Sequence, residues 1–122
     1  MKNQKWWLFC LCYLFVFPIF AQSNPSSKLY HSLLRFKETK RILFVAAHPD
    51  DENTRLIAYL ANAEHAEVAY LSLTRGDGGQ NLIGDEQGIP LGLIRTQELL
   101  AARSIDGANQ YFSQAFDFGF SK

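Results

Sequence analysis

Apolar and polar positions change their spacing several times along this chain, and each change marks an element. From Arg41 to Ala47, RILFVAA is an unbroken apolar run behind a basic patch. Such runs mark strands buried on both faces, the habit of parallel sheets. From Glu52 to Glu64 the spacing turns helical, with Leu56, Ile57, Leu60 and Ala61 on one stripe. AEVAYLSLT, Ala66 to Thr74, returns to strand character, and a glycine-rich loop runs from Arg75 to about Pro90. Leu91 to Ile105 is helical again, with Leu93, Ile94, Leu100, Ala101 and Ile105 on a broad apolar face, and Asn109 to Ser113 begins a third strand. The order β-α-β-loop-α-β predicts an α/β domain with a parallel sheet and flanking helices. Upstream, NPSS reads as a turn-rich linker. Ser27 is placed to cap a short amphipathic helix, KLYHSLLRFKE, whose Leu29, Leu33 and Phe36 would pack on the outside of the α/β domain.

The first 21 residues fall outside this pattern. Lys2 and Lys5 give a positive start, Trp6 to Phe20 is uncharged and apolar, and Ala21 supplies a small residue before QSNPSS. This is the layout of a secretory signal peptide cut after Ala21. An uncleaved anchor is the alternative, but the run is shorter than the roughly 20 residues that cross a bilayer. Export to the periplasm or outside the cell is therefore expected, with no stable membrane span after cleavage. Cys10 and Cys12 both lie in the apolar run, so the mature chain has no cysteine and neither disulfides nor thiolate metal ligands. The 122-residue chain carries 12 basic and 12 acidic residues, so no basic excess points to nucleic acid. The domain boundaries expected are 1–21 for the signal peptide, 22–40 for linker and lead-in helix, and 41–122 for the α/β domain.

Composition leaves the chemistry open, whereas one stretch narrows it. In open α/β sheets function gathers beyond the carboxyl ends of the strands. There, after the first strand, stands AHPDDE, Ala47 to Glu52. A neutral imidazole and a carboxylate three residues apart, His48 and Asp51, suit Zn²⁺ or another first-row divalent ion. A dication also offsets the repulsion between Asp50 and Asp51. Neighbouring side chains diverge, so one acid can ligate while the other acts on a water as base. The simpler alternative is that Asp50 or Asp51 caps the helix and Glu52 answers its dipole. That leaves His48 and the second acid without a role.

AAHPDDE after an apolar strand resembles the signature of the PIG-L / LmbE-like de-N-acetylases, and the similarity continues through LSLTRGDGGQN and LIRTQELLAA. The resemblance implies a Rossmann-like parallel sheet and zinc-dependent removal of acetyl groups from N-acetylglucosamine-type sugars or glycoconjugates. It makes His48 and Asp51 zinc ligands and Asp50 the general base. The RGDGGQN wording with a signal peptide is most similar to the large exported bacterial members. The family usually adds a third ligand from a later H-x-x-H, whereas this chain has only His31, His48 and His65. His65 stands about thirteen residues from the motif along a helix, ~20 Å at ~1.5 Å per residue. Both His31 and His65 are expected to be solvated. The chain is thus expected to be the N-terminal portion of a longer protein, inactive alone.

Around this centre, Arg75, Asp77 and Gln80 in the glycine-rich loop are candidate substrate contacts, the alternative being a solvated turn. Arg95 can pair with Glu98 along its helix, or stand at the crevice to meet substrate. Arg55, one turn after Asp51, is placed to steady that carboxylate from behind. Asp117 is a further candidate substrate contact from a third loop, and Phe112, Phe116, Phe118 and Phe120 read as core. The rivals to a metal-dependent amidohydrolase are a non-catalytic carbohydrate-binding module with a degenerate metal site, and a nucleotide-binding α/β domain.

Overall fold

A computed structural model describes residues 24–119. The signal-peptide reading, Cys10, Cys12 and Phe120 lie outside the described residues. Six elements run in order along the chain: α1 (Pro25–Lys37), β1 (Arg41–Ala46), α2 (Thr54–Asn62), β2 (Glu67–Ser72), α3 (Ile89–Asp106) and β3 (Asn109–Phe112). The three strands form one parallel sheet in the order β1-β2-β3, in a register that aligns Val45 with Leu71 and Leu71 with Tyr111.

Two crossovers running the same way across a parallel sheet place their helices on the same face, because each is right-handed. The core sits there. Ile57 and Ala61 of α2 and Leu99 of α3 pack on Val68 and Tyr70, with Ile42, Phe44, Ala46 and Phe112 half-buried against them. The opposite face carries Leu43 and Val45, each 56% exposed. The expectation that β1 is buried on both faces therefore holds for one face only, since no described element covers the other.

Local signals account for the boundaries. Asn53, not an acid, caps α2, its side-chain oxygen accepting the Leu56 N–H at 3.1 Å. Asp50, Asp51 and Glu52 all precede the cap, which disposes of the simpler account of the acidic run. α3 starts two residues earlier than Leu91, with Pro90 in its first turn, where proline sacrifices no helical hydrogen bond. It stops at Gly107, whose φ of 77° ends the helix in the left-handed region.

α1 departs from expectation. Its cap is Asn24 rather than Ser27, and it buries no residue. Leu29, Leu33 and Phe36 face outward. Polar contacts hold it instead: Arg35 donates to the Ala61 carbonyl at the end of α2, and His31 Nδ1 lies 3.1 Å from His65 Nε2. The two histidines expected to be solvated are thus bonded to each other.

Candidate functional site

Everything at the site hangs on the turn that leaves β1. Strand pairing continues past β1, with the Thr74 N–H donating to Ala47 O at 3.0 Å. His48 is then fixed at its backbone from two sides. Its carbonyl accepts the Tyr70 hydroxyl at 2.6 Å, and its N–H donates to Asp51 Oδ2 at 3.0 Å. Burial, together with the charges of Glu52 and Asp51, pushes the Tyr70 hydroxyl up to about 12, so it remains a donor at neutral pH. With Pro49 buried, this turn brings the His48 ring and the Asp51 carboxylate together, Nδ1 to Oδ2 at 3.6 Å.

Asp50 points elsewhere. It is 72% exposed and lies 3.7 Å from Arg95 Nη1. Arg95 therefore meets Asp50 rather than Glu98. It can do so because Gly76 is glycine: a Cβ there would sit 2.6 Å from Arg95 Cδ, and φ is +72°. His48, Asp50, Gln80, Arg95, Asp117 and Phe118 are among the residues lining a cleft of about 450 Å³ at the carboxyl ends of the strands.

Asp117 is the deepest of these groups. Its side chain is 0% exposed and lies 3.3 Å from His48 Nε2. It accepts from the Thr74 hydroxyl at 3.2 Å and from the Gly119 N–H at 2.8 Å, and the Gly78 N–H also serves it. Burial alone would raise its pKa. The two backbone N–H groups, nearby His48 and the Thr74 hydroxyl outweigh burial and hold it below the ordinary carboxylate value. The Phe118 ring leans on the His48 ring, centroids 5.0 Å apart. Neither Phe118 nor Phe116 is core, being 70% and 94% exposed.

Three other candidates stand apart from the cleft. Arg75 lies over the Phe112 ring and donates to Thr96, and with Asp77 it lines a neighbouring hollow beside Gly92. Arg55 is exposed on α2, while the contacts of Asp51 are with His48. Sequence reasoning missed several supports. Glu52, the third acid of the run, turns inward to Arg103 of α3, which also grips Asp106 through Nε at 2.9 Å. Glu52 and Arg103 are 8% and 4% exposed. Tyr70, Thr74 and Arg103 come from distant positions, and only the shared helix spacing of Arg103 and Asp106 hinted at a pair.

A ring nitrogen and a carboxylate oxygen 3.6 Å apart can both reach one ion at the ~2.0–2.2 Å that nitrogen and oxygen ligands of zinc adopt. The donor set thus fits a first-row divalent ion at two positions. Among the described residues no group of three His, Cys, Asp or Glu forms such a site.

A parallel α/β sheet with an imidazole and two carboxylates beyond its first strand defines the class: an α/β domain with its cleft at the carboxyl ends of the strands. The family model of the PIG-L GlcNAc-PI de-N-acetylases matches residues 43–122, and the chain belongs to that family. It is 39% identical over 82 residues to the 1D-myo-inositol 2-acetamido-2-deoxy-alpha-D-glucopyranoside deacetylase of Mycolicibacterium gilvum, covering 60% of this chain and 28% of that protein. Among solved structures it is similar to the N,N'-diacetylchitobiose deacetylase of Pyrococcus horikoshii, with a TM-score of 0.55 and 25% identity, over 80% of this chain and 41% of that one. It is also similar to GalB, the 4-carboxy-2-hydroxymuconate hydratase of Pseudomonas putida, with a TM-score of 0.58 and 25% identity, over 66% and 36%. The chain therefore spans well under half the length of each of these relatives. Two different reactions on one fold mean that the site, not the fold, must carry the functional argument.

Proposed function

We propose that this chain carries the metal-binding and base-supplying half of a site for hydrolysing the N-acetyl group of an N-acetylglucosamine-type sugar or glycoconjugate. The observation that carries this reading is the meeting of His48 Nδ1 and Asp51 Oδ2 at 3.6 Å, beside a second carboxylate that faces the cleft. The deacetylase relatives support the N-acetyl hydrolysis in this reading. His48 and Asp51 would hold a zinc or another first-row divalent ion. Such an ion supplies Lewis acidity, polarising an amide carbonyl and lowering the pKa of water toward ~7.

The remaining work falls to residues of the chain. Asp50 accepts the proton of the attacking water on its carboxylate and can return it to the departing amine. Arg95 sets the direction of that carboxylate and adds positive charge at the cleft. Gln80 offers an amide to sugar hydroxyls from the cleft wall. Arg75 and Asp77, in the adjoining hollow, are placed to meet a part of the substrate that extends beyond the sugar. Export through the segment before Gln22 would put the reaction in the periplasm or outside the cell.

Zinc content and deacetylation test the reading. His48→Ala and Asp51→Ala should abolish stoichiometric zinc. Asp50→Asn should retain zinc and lose turnover by about 10²-fold or more, the scale of general-base catalysis. Full activity in Asp50→Asn removes Asp50 from the mechanism. A carbohydrate-binding module is the alternative outcome of the same measurements. Sugar binding without zinc or turnover would select it.

A further inference from the structure

We infer that Asp117 is a positioning residue that fixes the proton of His48 on Nε2 and so leaves Nδ1 bare toward Asp51. The Asp117 side chain is buried completely; the Gly119 N–H at 2.8 Å and the Gly78 N–H donate to it, the Thr74 hydroxyl at 3.2 Å is shared between it and the Ala47 carbonyl at 3.0 Å, and His48 Nε2 lies 3.3 Å away. A carboxylate surrounded in this way can only accept. Of the two ring nitrogens Nε2 lies nearer a carboxylate, 3.3 Å against 3.6 Å for Nδ1, and a proton on Nε2 is the tautomer that sets no lone pair against the buried acceptor. In the neutral ring the other nitrogen is then an acceptor.

The surroundings of the carboxylate are built for that task. A Cβ on Gly78 would stand 2.7 Å from the Gly119 nitrogen and 3.0 Å from Asp117 Oδ1, and a Cβ on Gly119 would stand 2.7 Å from the Gly78 carbonyl. Two glycine backbones thus close around Asp117, and Gly119 adopts a φ of +67°, which side chains disfavour. With its oxygens committed inside the protein, Asp117 acts on the ring rather than on substrate. The consequence lies on the other side of the imidazole. A bare Nδ1 facing Asp51 Oδ2 at 3.6 Å sets two acceptors against each other, an arrangement that a cation between them relieves. A carboxylate behind a ligating histidine commonly fixes its tautomer in this way.

The inference rests on the proposed metal reading for its consequence, whereas the proton position can be measured without it. The full chain has three histidines, so long-range ¹H–¹⁵N spectra can resolve the His48 ring. In the neutral wild-type ring the proton should sit on Nε2. Asp117→Asn, which places an amide among donors, should lose that preference and weaken binding of added zinc about 10- to 100-fold. A neutral wild-type ring protonated on Nδ1 overturns the inference, and it does so even if the variant fails to fold. So does a folded variant with unchanged tautomer and zinc affinity. If the wild type takes up no zinc, the metal reading fails, and the wild-type tautomer alone decides the role of Asp117.

Discussion

His48 is held by its backbone as much as by its ring. The Tyr70 hydroxyl spans from β2 to the His48 carbonyl at 2.6 Å, from a side chain that is 1% exposed. Tyr70→Phe removes that donor and leaves a carbonyl without its partner, at a cost of about 0.5–1.5 kcal/mol in urea unfolding. The raised pKa also fixes the sign of an alkaline effect. A hydroxyl whose folded pKa lies above its unfolded value stabilises fully below pH ~10, and that contribution is lost as pH rises toward about 12. Unfolding midpoints of wild type should therefore fall over that interval more steeply than those of Tyr70→Phe. Glu52 makes a harsher case. Arg103→Met leaves the Glu52 and Asp106 carboxylates buried without their cation, and should cost about 3–5 kcal/mol in the same measurement. Wild-type stability in that variant would mean the cluster opens to water.

Among the elements, the glycine-rich loop matters through what it lets pass. Gly76→Ala imposes a left-handed strain of about 1–2 kcal/mol and drives a methyl group into Arg95. The expected outcome is lower stability together with loss of the Arg95–Asp50 contact. If the proposed hydrolysis holds, Gly76→Ala should reduce kcat more than a mutation of exposed Arg55. Helix α2 settles the alternative that an acid of the run caps it: Asn53 does that work one residue beyond the run. Freed from capping, the three acids take three directions: Asp50 to Arg95, Asp51 to His48 and Glu52 to Arg103. Helical spacing located α2 and α3 correctly because their apolar stripes meet the sheet. It overstated α1, whose stripe meets nothing among the described residues, and whose hold comes from Arg35 and His31.

Over the whole molecule, the uneven cover of the sheet is the main feature. Both crossover helices lie on one face, and Leu43, Val45 and Tyr111 stand more than half exposed on the other. A parallel sheet with a bare apolar face is a surface prone to association. The chain should bind a hydrophobic dye and self-associate with rising concentration in sedimentation experiments. Leu43→Thr with Val45→Thr should reduce both while changing stability by only about 0.5 kcal/mol per site. A marked loss of stability would show that this face is already covered in solution.

The sequence by itself determined the parallel α/β order, the helical stripes and the place of the acidic turn after the first strand. These depend on spacing along the chain, and spacing is what a sequence records. It also grouped His48 with Asp51, because three residues across a tight turn can meet without help from elsewhere. Tertiary structure alone decided that Arg95 crosses Gly76 to Asp50, that Asp117 is buried behind His48, that Arg103 holds Glu52, and that Arg75 and Asp77 face a separate hollow. Each of those contacts joins residues more than twenty positions apart or depends on which way a loop turns. Such contacts arise from the packing of α3 and the segment after β3 against the strand ends, which no local periodicity encodes.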